Sequence, residues 1–585
     1  MDIVLIAPQE ILLRDKSLFR DQNIKSDFDN ITINPVSFAY VKFLKDNLGI
    51  AALSSFLKEN GCSVKVINTY LKNISIQCLC DDILDINPSV IGISLLYDLC
   101  SYSTCLIVKT LRNKGYKGHI TLGGPFSSVT YEYFLKGIKE INSVIRGEGE
   151  IPLLELIRKI NKKEEWRDIK GLSYSNSDGE IIFNECGEII KNLSVLPYPS
   201  RDDYRFLVNE LKKINVKMNV ASIYTSRGCL GKCTYCSAPE LAKINSIKWR
   251  CRTVESIVDE IKQLVEEFNV KYINIIDENF YGYGQDANSR LKELARRIIS
   301  LNLNIKFWAE IRVDIKFDDE TFMLLKKAGF QDILLGLESG SQKTLNRWRK
   351  GTTIAQNEYA INKIREYGFK LEPSMIMVDP YTTYEEFKDT IEFIERNKLF
   401  NTEHPLNLIN EMIVFTGTEL ERQLIIDGIL KPIDVTSINI NNCAAIHTFC
   451  KKISTREYEI QSNLVRVMWK SLITKTNVLA ELLDNKLPRI IGEIYYALKK
   501  SNCDKEGFKL ILHNVGLWRK NIGLLLMDLL NELINIEEIN LDIDLFEKNL
   551  LKRLDTIVEK YDKKYLGMNI SDLLIKLDNL KTERM

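Results

Sequence analysis

Three cysteines stand within eight residues of one another, at Cys229, Cys233 and Cys236. The chain has 13 cysteines in 585 residues, and random placement would give this spacing roughly 0.006 times per chain. The spacing therefore indicates a metal site, because both zinc and iron–sulfur clusters take thiolate ligands. An odd number of cysteines spread through a long chain also disfavours a disulfide framework.

The residue types around this loop favour an iron–sulfur cluster over zinc. Zinc usually takes four ligands from paired cysteines or from cysteine–histidine sets, and none of the four histidines lies near the loop. Cys251 comes fifteen residues after Cys236, too far to complete a compact loop, although folding could return it. Three cysteines on a [4Fe–4S] cluster leave one iron open to a substrate. A structural zinc site and three buried thiols are the alternative interpretations.

The loop resembles the signature of the radical S-adenosylmethionine (SAM) enzymes, with the aromatic Tyr235 before the last cysteine. The resemblance implies that Cys229, Cys233 and Cys236 hold a [4Fe–4S] cluster whose open iron chelates SAM. It also implies a one-electron reductant such as flavodoxin or ferredoxin. The product of SAM cleavage in this family is a 5′-deoxyadenosyl radical, which abstracts a hydrogen atom from the substrate.

Further segments resemble this family in the expected order, and the resemblance implies that they and Tyr235 contact SAM. They are Asp277, Glu278 and Asn279 after the second strand of this region, Glu310 and Arg312 at the end of the third, and Glu338 and Ser339 at the end of the fourth. Each also has an ordinary structural interpretation. Glu278 could be a carboxylate at a helix N-terminus, Arg312 could pair with Asp314, and Glu338 could lie in a simple turn.

One segment departs from the family pattern. Many relatives carry a G-x-P-G-E-T turn after the fifth strand, whereas residues 378–383 of this chain read V-D-P-Y-T-T. The departure leaves the recognition of adenine at this edge undefined.

The elements that must position these residues are α/β repeats. Residues 1–165 alternate short apolar strands with amphipathic helices, which predicts a doubly wound, Rossmann-like parallel sheet. The predicted strands are Ile3–Ile6, Val64–Ile67, Val90–Ser94, His119–Leu122 and Ser143–Ile145, with helices at Ile50–Lys58, Leu106–Asn113, Tyr131–Lys139 and Pro152–Ile160.

A second run of strands and helices surrounds the candidate SAM residues, and the resemblance implies a partial (β/α)6 barrel of the TIM type over residues 216–425. Residues 166–215 are predicted to be a connector with a hairpin around Asn176–Gly179, and residues 426–585 a mostly helical region of unknown role. The predicted elements of the second run are a helix at Val254–Phe268 capped by Thr253 and strands at Ala221–Thr225, Tyr272–Ile276, Ile305–Trp308, Ile333–Leu337 and Ser374–Val378.

The first α/β region resembles the cobalamin-binding domain of the cobalamin-dependent radical SAM class. The match is carried by Leu122–Pro125 and by the turn Arg146–Glu150. No D-x-H-x-x-G follows the first strand and His119 begins a strand, so we expect no histidine ligand below the cobalt. A degenerate domain that no longer binds cobalamin is the alternative. We expect the loops after the strands to hold the corrin, with close backbone approach at the glycines, and the candidate residues are Ser94, Gly123 and Gly124.

Composition excludes some classes of partner. The chain has 80 Lys and Arg against 79 Asp and Glu, a net charge of +1, which argues against a nucleic-acid binder driven by a basic surface. No run approaches the roughly 18 apolar residues needed to span a bilayer, and the first residues lack the pattern of a signal peptide. We therefore expect a cytoplasmic protein without a membrane or nucleic-acid partner.

These features predict an enzyme that uses cobalamin and SAM to methylate an unactivated carbon of a small metabolite or a peptide. The main alternative is radical SAM rearrangement, cyclisation or oxidation without methyl transfer. A third hypothesis is an iron–sulfur electron carrier, although such carriers usually fill all four iron positions with cysteine. A fourth is a tRNA methylthiotransferase, which would need further ligating cysteines and an RNA-binding barrel, and neither pattern is visible.

Overall fold

The computed structural model describes residues 1–8, 47–72, 74–213, 219–246, 249–283, 286–314, 316–402, 404–436, 438, 440–481, 521–535 and 543–561. Its strands are β1 Ile3–Ala7, β2 Val64–Asn68, β3 Val90–Ser94, β4 His119–Gly123, β5 Ser143–Ile145, β6 Leu172–Ser175, β7 Ile181–Phe183, β8 Val220–Ile223, β9 Ser226–Arg227, β10 Arg250–Cys251, β11 Tyr272–Ile275, β12 Lys306–Arg312, β13 Phe330–Glu338, β14 Lys370–Val378 and β15 Asn410–Glu411.

The helices occupy most of the remaining described residues. They are α1 Leu48–Glu59, α2 Thr69–Lys72, α3 Ile76–Ile86, α4 Ser101–Asn113, α5 Pro125–Gly137, α6 Glu150–Lys162, α7 Asp202–Lys213, α8 Ala238–Asn245, α9 Val254–Phe268, α10 Ala287–Ser300, α11 Asp319–Lys327, α12 Gln342–Arg347, α13 Ile354–Glu366, α14 Tyr384–Arg396, α15 Glu419–Ile426, α16 Cys443–Ile453, α17 Asn463–Glu481 and α18 Ile543–Tyr561.

The chain divides into two compact units. The first contains β1, Lys45–Lys306 and Ile413–Glu457, and the second contains Phe307–Met412 and the described residues from Tyr458 onward. Within the described residues, no helix is long and apolar enough to cross a membrane.

A seven-stranded sheet forms the N-terminal part of the first unit, in the order β2-β1-β3-β4-β5-β6-β7. The pairs among β1 to β5 are parallel, and β6 and β7 add an antiparallel hairpin. The five predicted strands are confirmed to within one residue at their ends. The hairpin lies inside the segment predicted as a connector, so the sheet extends beyond residue 165.

Helices cover both faces of this sheet, which confirms the doubly wound fold. Val4 and Ile6 of β1 enter one apolar core, which α3, α4, α5 and α16 complete. Ile3, Leu5 and Ala7 point to the opposite core, which α1 and α6 complete. The alternation follows from the two-residue period of a strand, and it explains why these buried parallel strands are continuously apolar.

Helix α16 lies almost 300 residues beyond the sheet it covers, and it belongs to the segment predicted as a C-terminal helical region. Its Phe449 is fully buried and meets Phe134 edge to face, with ring centroids 5.8 Å apart. A Cβ on Gly137 would stand 2.4 Å from the Phe449 ring, so the absent side chain makes room for this contact. The N-terminal core is therefore built from segments that lie about 300 residues apart in the chain.

Parallel strands also underlie the segment that follows. In the first unit β8 pairs with β11, with Val220 opposite Tyr272, and Thr253 caps α9 by accepting a hydrogen bond from Ser256 N at 3.3 Å, as predicted. In the second unit β12, β13, β14 and β15 form consecutive parallel pairs. Strand β12 runs four residues past the end predicted from its apolar pattern, and it ends at Arg312, where the family resemblance places the end of the third strand.

Most of the described residues after Tyr458 are helical, which agrees with the prediction for this region. They comprise α17, residues 521–534 and α18. The structure thus confirms the predicted α/β class with a helical C-terminal segment.

We expect Phe449→Ala to lower the free energy of unfolding by about 3–5 kcal/mol, because it removes a fully buried ring and leaves a cavity. Thermal or urea unfolding followed by circular dichroism measures this loss. Ile426→Ala is the control, since that side chain is 77% exposed and its loss should change stability by less than about 0.5 kcal/mol. Equal effects of the two substitutions would contradict the packing described for α16.

Candidate cofactor site

The cysteine loop begins just beyond β8, and Asp277 fixes its base. The Asp277 carboxylate is buried and accepts hydrogen bonds from Thr225 N at 2.6 Å, Thr225 Oγ1 at 2.5 Å and Ser226 Oγ at 2.7 Å. Burial raises the pKa of Asp277, although these donors act in the opposite direction. Three donors therefore occupy the carboxylate, and its role here is to hold the strand that leads into the loop.

The two residues after Asp277 face different surroundings. Asn279 is buried, and its Nδ2 donates to Gly282 O at 3.4 Å. Glu278 keeps exposed surface and accepts a hydrogen bond from the Gly228 N–H. Desolvation by the surrounding protein raises the pKa of Glu278, and the neighbouring Asp277 adds to the effect. Of the three predicted SAM contacts in this segment, Glu278 has the geometry of a ligand-facing residue.

Hydrogen bonds to sulfur organise the loop. Cys229 Sγ accepts from Gly231 N at 3.3 Å and lies 3.1 Å from Tyr283 Oη, and Cys236 Sγ accepts from Ala238 N at 3.4 Å. Tyr235 and Cys236 are half-buried, and Cys233 is buried. The sequence signature predicted the cysteines but carried no signal for Tyr283, whose contact with the loop arises only in the folded chain.

The three thiols lie close enough to influence one another. Burial, together with the negative charges of Cys233, Glu278 and Cys229, raises the pKa of Cys236 to about 12. Among the residues that the structure describes, no three His, Cys, Asp or Glu side chains converge on one metal ion. Thiolates that each bind a different iron of a cluster need not converge in this way. The donor set of three thiols with N–H and O–H groups around the sulfurs fits a [4Fe–4S] cluster.

A cavity of about 340 Å³ lies within the first unit, between the sheet edge and the cysteine loop. The carboxyl ends of β3, β4 and β5 line one side, where parallel α/β sheets bind ligands. The start of the cysteine loop, α8 and Glu278 line the other side. The walls are mainly apolar, which suits the ring of a corrin. The predicted cobalamin residues also line this cavity: Ser94, Gly123 and Gly124.

The two glycines after β4 serve different purposes. Gly124 has φ +98°, and a Cβ there would lie 2.6 Å from the backbone oxygen of Leu95. Its missing side chain therefore permits the β3 and β4 loops to pack, in addition to the predicted role of close approach to the corrin. A Cβ on Gly123 meets nothing within 4 Å, so Gly123 is the glycine that leaves space in the cavity.

Ser128 ties the two cavity loops together and was not identified from the sequence. Its Oγ donates to Gly124 O at 2.8 Å and accepts from Gly147 N at 3.0 Å. Ser128 also lines the cavity. A single hydroxyl thus fixes the loop after β4 relative to the turn after β5.

Four charged side chains connect the turn after β5 to the hairpin that leads into the cysteine loop. Arg227 contacts Glu150 at 2.7 Å and Glu148 at 3.4 Å. Arg250 lies opposite Arg227 in the backbone pairing of the β9–β10 hairpin. Its Nη2 contacts both carboxylate oxygens of Glu148. We call these four residues the ion cluster. Because Arg227 stands two residues before Cys229, the ion cluster sets where the cysteine loop begins.

The ion cluster is held in a largely dry environment. Burial alone would raise the pKa of Glu150, but the charge and hydrogen bond of Arg227 outweigh burial and hold it below its ordinary value. The pKa of Arg227 is raised, since attraction by Glu150, Tyr224 and Glu148 outweighs desolvation. Glu150 and Arg227 are consequently ionised near neutral pH.

The remaining predicted SAM residues belong to the second unit and pair within it. Arg312 on β12 is buried and contacts Asp314 at 3.0 Å and Lys350 O at 2.7 Å. The expected pair with Asp314 is present, but it is shielded from solvent on the Arg312 side. Glu310 is half-buried on the same strand.

The end of β13 carries backbone strain. Glu338 has φ +66°, a left-handed conformation that is uncommon outside glycine, and it forms a buried 2.8 Å pair with Lys350. A Cβ on Gly336 would lie 2.8 Å from the Glu338 carboxylate. Ser339 is buried, and its Oγ lies 3.1 Å from Thr390 Oγ1. Such strain persists where surrounding contacts enforce it, and it is frequent at ligand sites.

The unusual V-D-P-Y-T-T turn has a structural explanation. Asp379 is fully buried and accepts hydrogen bonds from Arg347 at 3.0 Å and from Trp348 Nε1 at 2.6 Å. Thr383 then caps α14 in a capping box with Glu386. The turn is therefore anchored by a carboxylate at the variable second position of the family pattern, while Val378 and Tyr381 stand where many relatives carry glycine.

Comparisons with known proteins agree with this arrangement. The model of the Radical SAM superfamily matches residues 223–394, and the model of the B12 binding domain matches residues 36–157. The first match contains the cysteine loop, and the second contains the strands that line the cavity.

Several curated relatives match this chain at modest identity. The chain is 28% identical to an uncharacterised methyltransferase, PH0819, of Pyrococcus horikoshii, over 60% of this chain and 73% of that protein. It is 28% identical to the 4′-phospho-dehydrooxetanocin synthase of Priestia megaterium, over 60% of this chain and 48% of the relative. It is 26% identical to the anaerobic magnesium-protoporphyrin IX monomethyl ester cyclase of Rubrivivax gelatinosus, over 58% of this chain and 60% of the relative. The match thus spans about half to three quarters of each relative.

Solved structures show the same fold. The cobalamin-dependent SAM radical enzyme OxsB, with aqua-cobalamin and SAM bound, superposes with a TM-score of 0.70 and 18% identity, covering 100% of this chain and 84% of that one. The radical SAM methyltransferase TsrM from Kitasatospora setae, with cobalamin and a [4Fe–4S] cluster, gives a TM-score of 0.52 and 17% identity, covering 68% of this chain and 70% of that one.

We expect replacement of Cys229, Cys233 or Cys236 by Ala to abolish the brown [4Fe–4S] absorbance and SAM cleavage, because each thiolate anchors one iron. Iron analysis and visible spectra of anaerobically purified protein measure the first, and 5′-deoxyadenosine production the second. Cys251→Ala is the matched control and should keep both, since Cys251 lies on the β9–β10 hairpin opposite Ser226. A cluster lost in Cys251→Ala and kept in Cys236→Ala would show that the ligand set is wrong.

We expect Arg227→Met to destabilise the protein by about 3–5 kcal/mol near neutral pH, because it leaves Glu150 charged and buried without its partner. The folded-state pKa of Glu150 is depressed, so the pair stabilises the wild type above the ordinary carboxyl pKa of 4.5 and loses that contribution as pH falls through the folded value. The deficit of the variant should accordingly shrink at acid pH. Melting temperatures from pH 4 to 8 test this, with the exposed Arg466→Met as the control, and a deficit that is independent of pH would contradict it.

Proposed function

Since this chain is a radical SAM enzyme that carries a B12-binding domain, we propose that it transfers a methyl group to an unactivated carbon of a small metabolite or a peptide. Its cofactors are a [4Fe–4S] cluster, SAM and cobalamin. The observation that carries the proposal is the single cavity lined both by the sheet edge of the B12-binding domain and by the start of the cysteine loop.

We assign each cofactor to its own set of residues. We assign the cluster to Cys229, Cys233 and Cys236, and the corrin to the loops that contain Ser94, Gly123 and Gly124. In the first unit we assign Tyr235 and Glu278 to SAM, with Asp277 and Asn279 positioning the segment. In the second unit we assign Glu310, Arg312, Glu338 and Ser339 to SAM from their motifs alone. When bound, the cluster supplies the electron that cleaves SAM and cobalamin supplies a transferable methyl group.

The walls of the cavity favour transfer over loss of reactive species to water. Leu96, Leu241 and Ile276 are among the apolar residues that line it, and Ile276 is 45% exposed there. An apolar lining keeps water from a bound radical or methyl donor. The ion cluster fixes the two sides of the cavity relative to each other, so groups bound on each side keep their positions.

The position of His119 supports the proposal that cobalamin binds without a histidine ligand to the cobalt. It is the only histidine in the first 400 residues, it lies at the start of β4, and its Nε2 is 2.8 Å from Ser143 Oγ in the buried sheet. Burial lowers its pKa to about 3. The residue is thus engaged inside the domain, and it does not line the cavity.

The second candidate function is a radical SAM rearrangement, cyclisation or oxidation without methyl transfer. The relatives named as a synthase and a cyclase favour it, because they match this chain over a similar share to the methyltransferase. An electron-carrier function is not supported, since the chain is an enzyme of the radical SAM type.

We further propose flavodoxin or ferredoxin as the external one-electron donor, and a cytoplasmic location. The twelve cysteines that the structure describes are all free, which is typical of a reducing compartment. A net charge of +1 supports a metabolite or peptide substrate over a nucleic acid.

We expect the holoenzyme, given SAM, titanium(III) citrate and a small-molecule extract of the source cells, to form S-adenosylhomocysteine and 5′-deoxyadenosine in comparable amounts. Methyl transfer consumes one SAM as methyl donor and one as radical source, whereas the alternative produces deoxyadenosine alone. Liquid chromatography with mass spectrometry counts both products.

Variants of Gly123 provide matched controls for this count. Gly123→Leu places a side chain in the empty space of the cavity and should reduce retained cobalamin and S-adenosylhomocysteine at least tenfold while the iron content stays unchanged. Gly123→Ala, a smaller addition at the same unstrained position, should retain most of both. Wild-type protein that binds no cobalamin, or that forms deoxyadenosine alone, would favour the second candidate function.

A further inference from the structure

We infer that Tyr283 is a positioning residue that donates its phenolic hydrogen to the Cys229 thiolate and thereby raises the reduction potential of the iron–sulfur cluster. The inference rests on the proposed assignment of Cys229 as a cluster ligand, but not on methyl transfer. It concerns a residue outside every motif by which the site was identified.

The hydrogen-bond pattern around the phenol determines the direction of donation. Tyr283 Oη accepts from Leu230 N at 2.9 Å and lies 3.1 Å from Cys229 Sγ. A phenol has one hydrogen to donate, and an iron-bound thiolate has none. The Leu230 N–H already points at the oxygen, so the phenolic hydrogen is directed to the sulfur. Tyr283 therefore binds the loop twice, at consecutive residues.

The surroundings of the ring keep the hydroxyl in place. The Tyr283 and Trp249 rings meet edge to face with centroids 5.9 Å apart. Gly282 has φ +79°, and a Cβ there would lie 2.5 Å from Trp249, so the chain passes directly over the indole. The Arg290 guanidinium lies 5.6 Å from the centre of the Trp249 ring. Packing, and not the hydrogen bond alone, positions Tyr283.

The electrostatic consequence follows from the charge of the cluster. Reduction adds one electron to a group that already carries three thiolates, and hydrogen bonds to the sulfurs are among the factors that set the potential. A donor stabilises the more negative, reduced form more than the oxidised form. Cys229 receives the Tyr283 O–H in addition to the Gly231 N–H at 3.3 Å. Tyr283 thus makes the cluster easier to reduce before SAM is cleaved.

The test is a redox titration of the reconstituted holoprotein in the absence of substrate. Titanium(III) citrate supplies the electron and is oxidised to titanium(IV), and electron paramagnetic resonance counts the reduced cluster. We expect Tyr283→Phe, which keeps the ring and loses the hydroxyl, to lower the reduced-to-oxidised ratio at a fixed potential about tenfold. For a one-electron couple this is a shift of about 59 mV to lower potential.

Two further variants keep the experiment decisive. Tyr204→Phe is the matched control, because it also removes a hydroxyl, here one that donates to Val220 O at 2.9 Å, and it should leave the potential unchanged. Site-specific replacement of Tyr283 by 3-fluorotyrosine strengthens the donor without removing it and should shift the potential upward. This second variant retains the fold even if Tyr283→Phe fails to take up iron.

The outcomes separate this inference from the proposed function. Opposite shifts for the phenylalanine and fluorotyrosine replacements, at equal iron content, support it whatever product the enzyme forms. An unchanged potential in either replacement at full iron content overturns it, as does a fully loaded cluster in Cys229→Ala. Loss of methyl transfer alone, with the two shifts present, would contradict the proposed function and leave the role of Tyr283 intact.

Discussion

The contact between two acidic residues of one turn and two arginines of one hairpin governs the geometry of the cofactor site. Glu148 and Glu150 follow the last parallel strand of the N-terminal sheet, and Arg227 and Arg250 stand directly before and after the cysteine region. Charges with little access to water keep their ionised state only while their partners remain close. Any displacement of the hairpin relative to the sheet would leave these charges unpaired, so the arrangement tolerates few alternatives.

Individual hydrogen bonds add to the ion cluster in fixing the loops around the cofactor site. Asp277 holds the strand that enters the cysteine loop, and Ser128 joins the two loops at the sheet edge. Each of these groups is buried and satisfied by its own protein neighbours, which leaves the cavity itself mainly apolar. Polar residues therefore build the frame, and apolar residues face the space where ligands bind.

Local patterns in the sequence were sufficient for the strands, the doubly wound sheet and the cysteine loop, since each has a short-range signature. They were insufficient where a role depends on a distant partner. Asp277 matched a ligand motif, yet its donors lie 52 positions earlier in the chain. The need for Gly124 to make room for Leu95 was not visible from the sequence, and Tyr283 carried no signal at all. The spacing of residues in the sequence identifies the type of a segment. The packing of the folded chain decides which of its polar atoms remain available to a ligand.

The contribution of α16 to the N-terminal core has a consequence for the synthesis of the chain. The sheet residues that α16 covers are complete at β5, but Phe449 is translated about 300 residues later, which at roughly 5–20 residues per second takes about 15–60 s. During that interval the apolar surface around Phe134, which α16 later covers, has no cover from α16 on the ribosome. The nascent N-terminal domain therefore keeps an apolar surface open to aggregation until α16 has been made. Its final core closes only after the cysteine loop has left the exit tunnel.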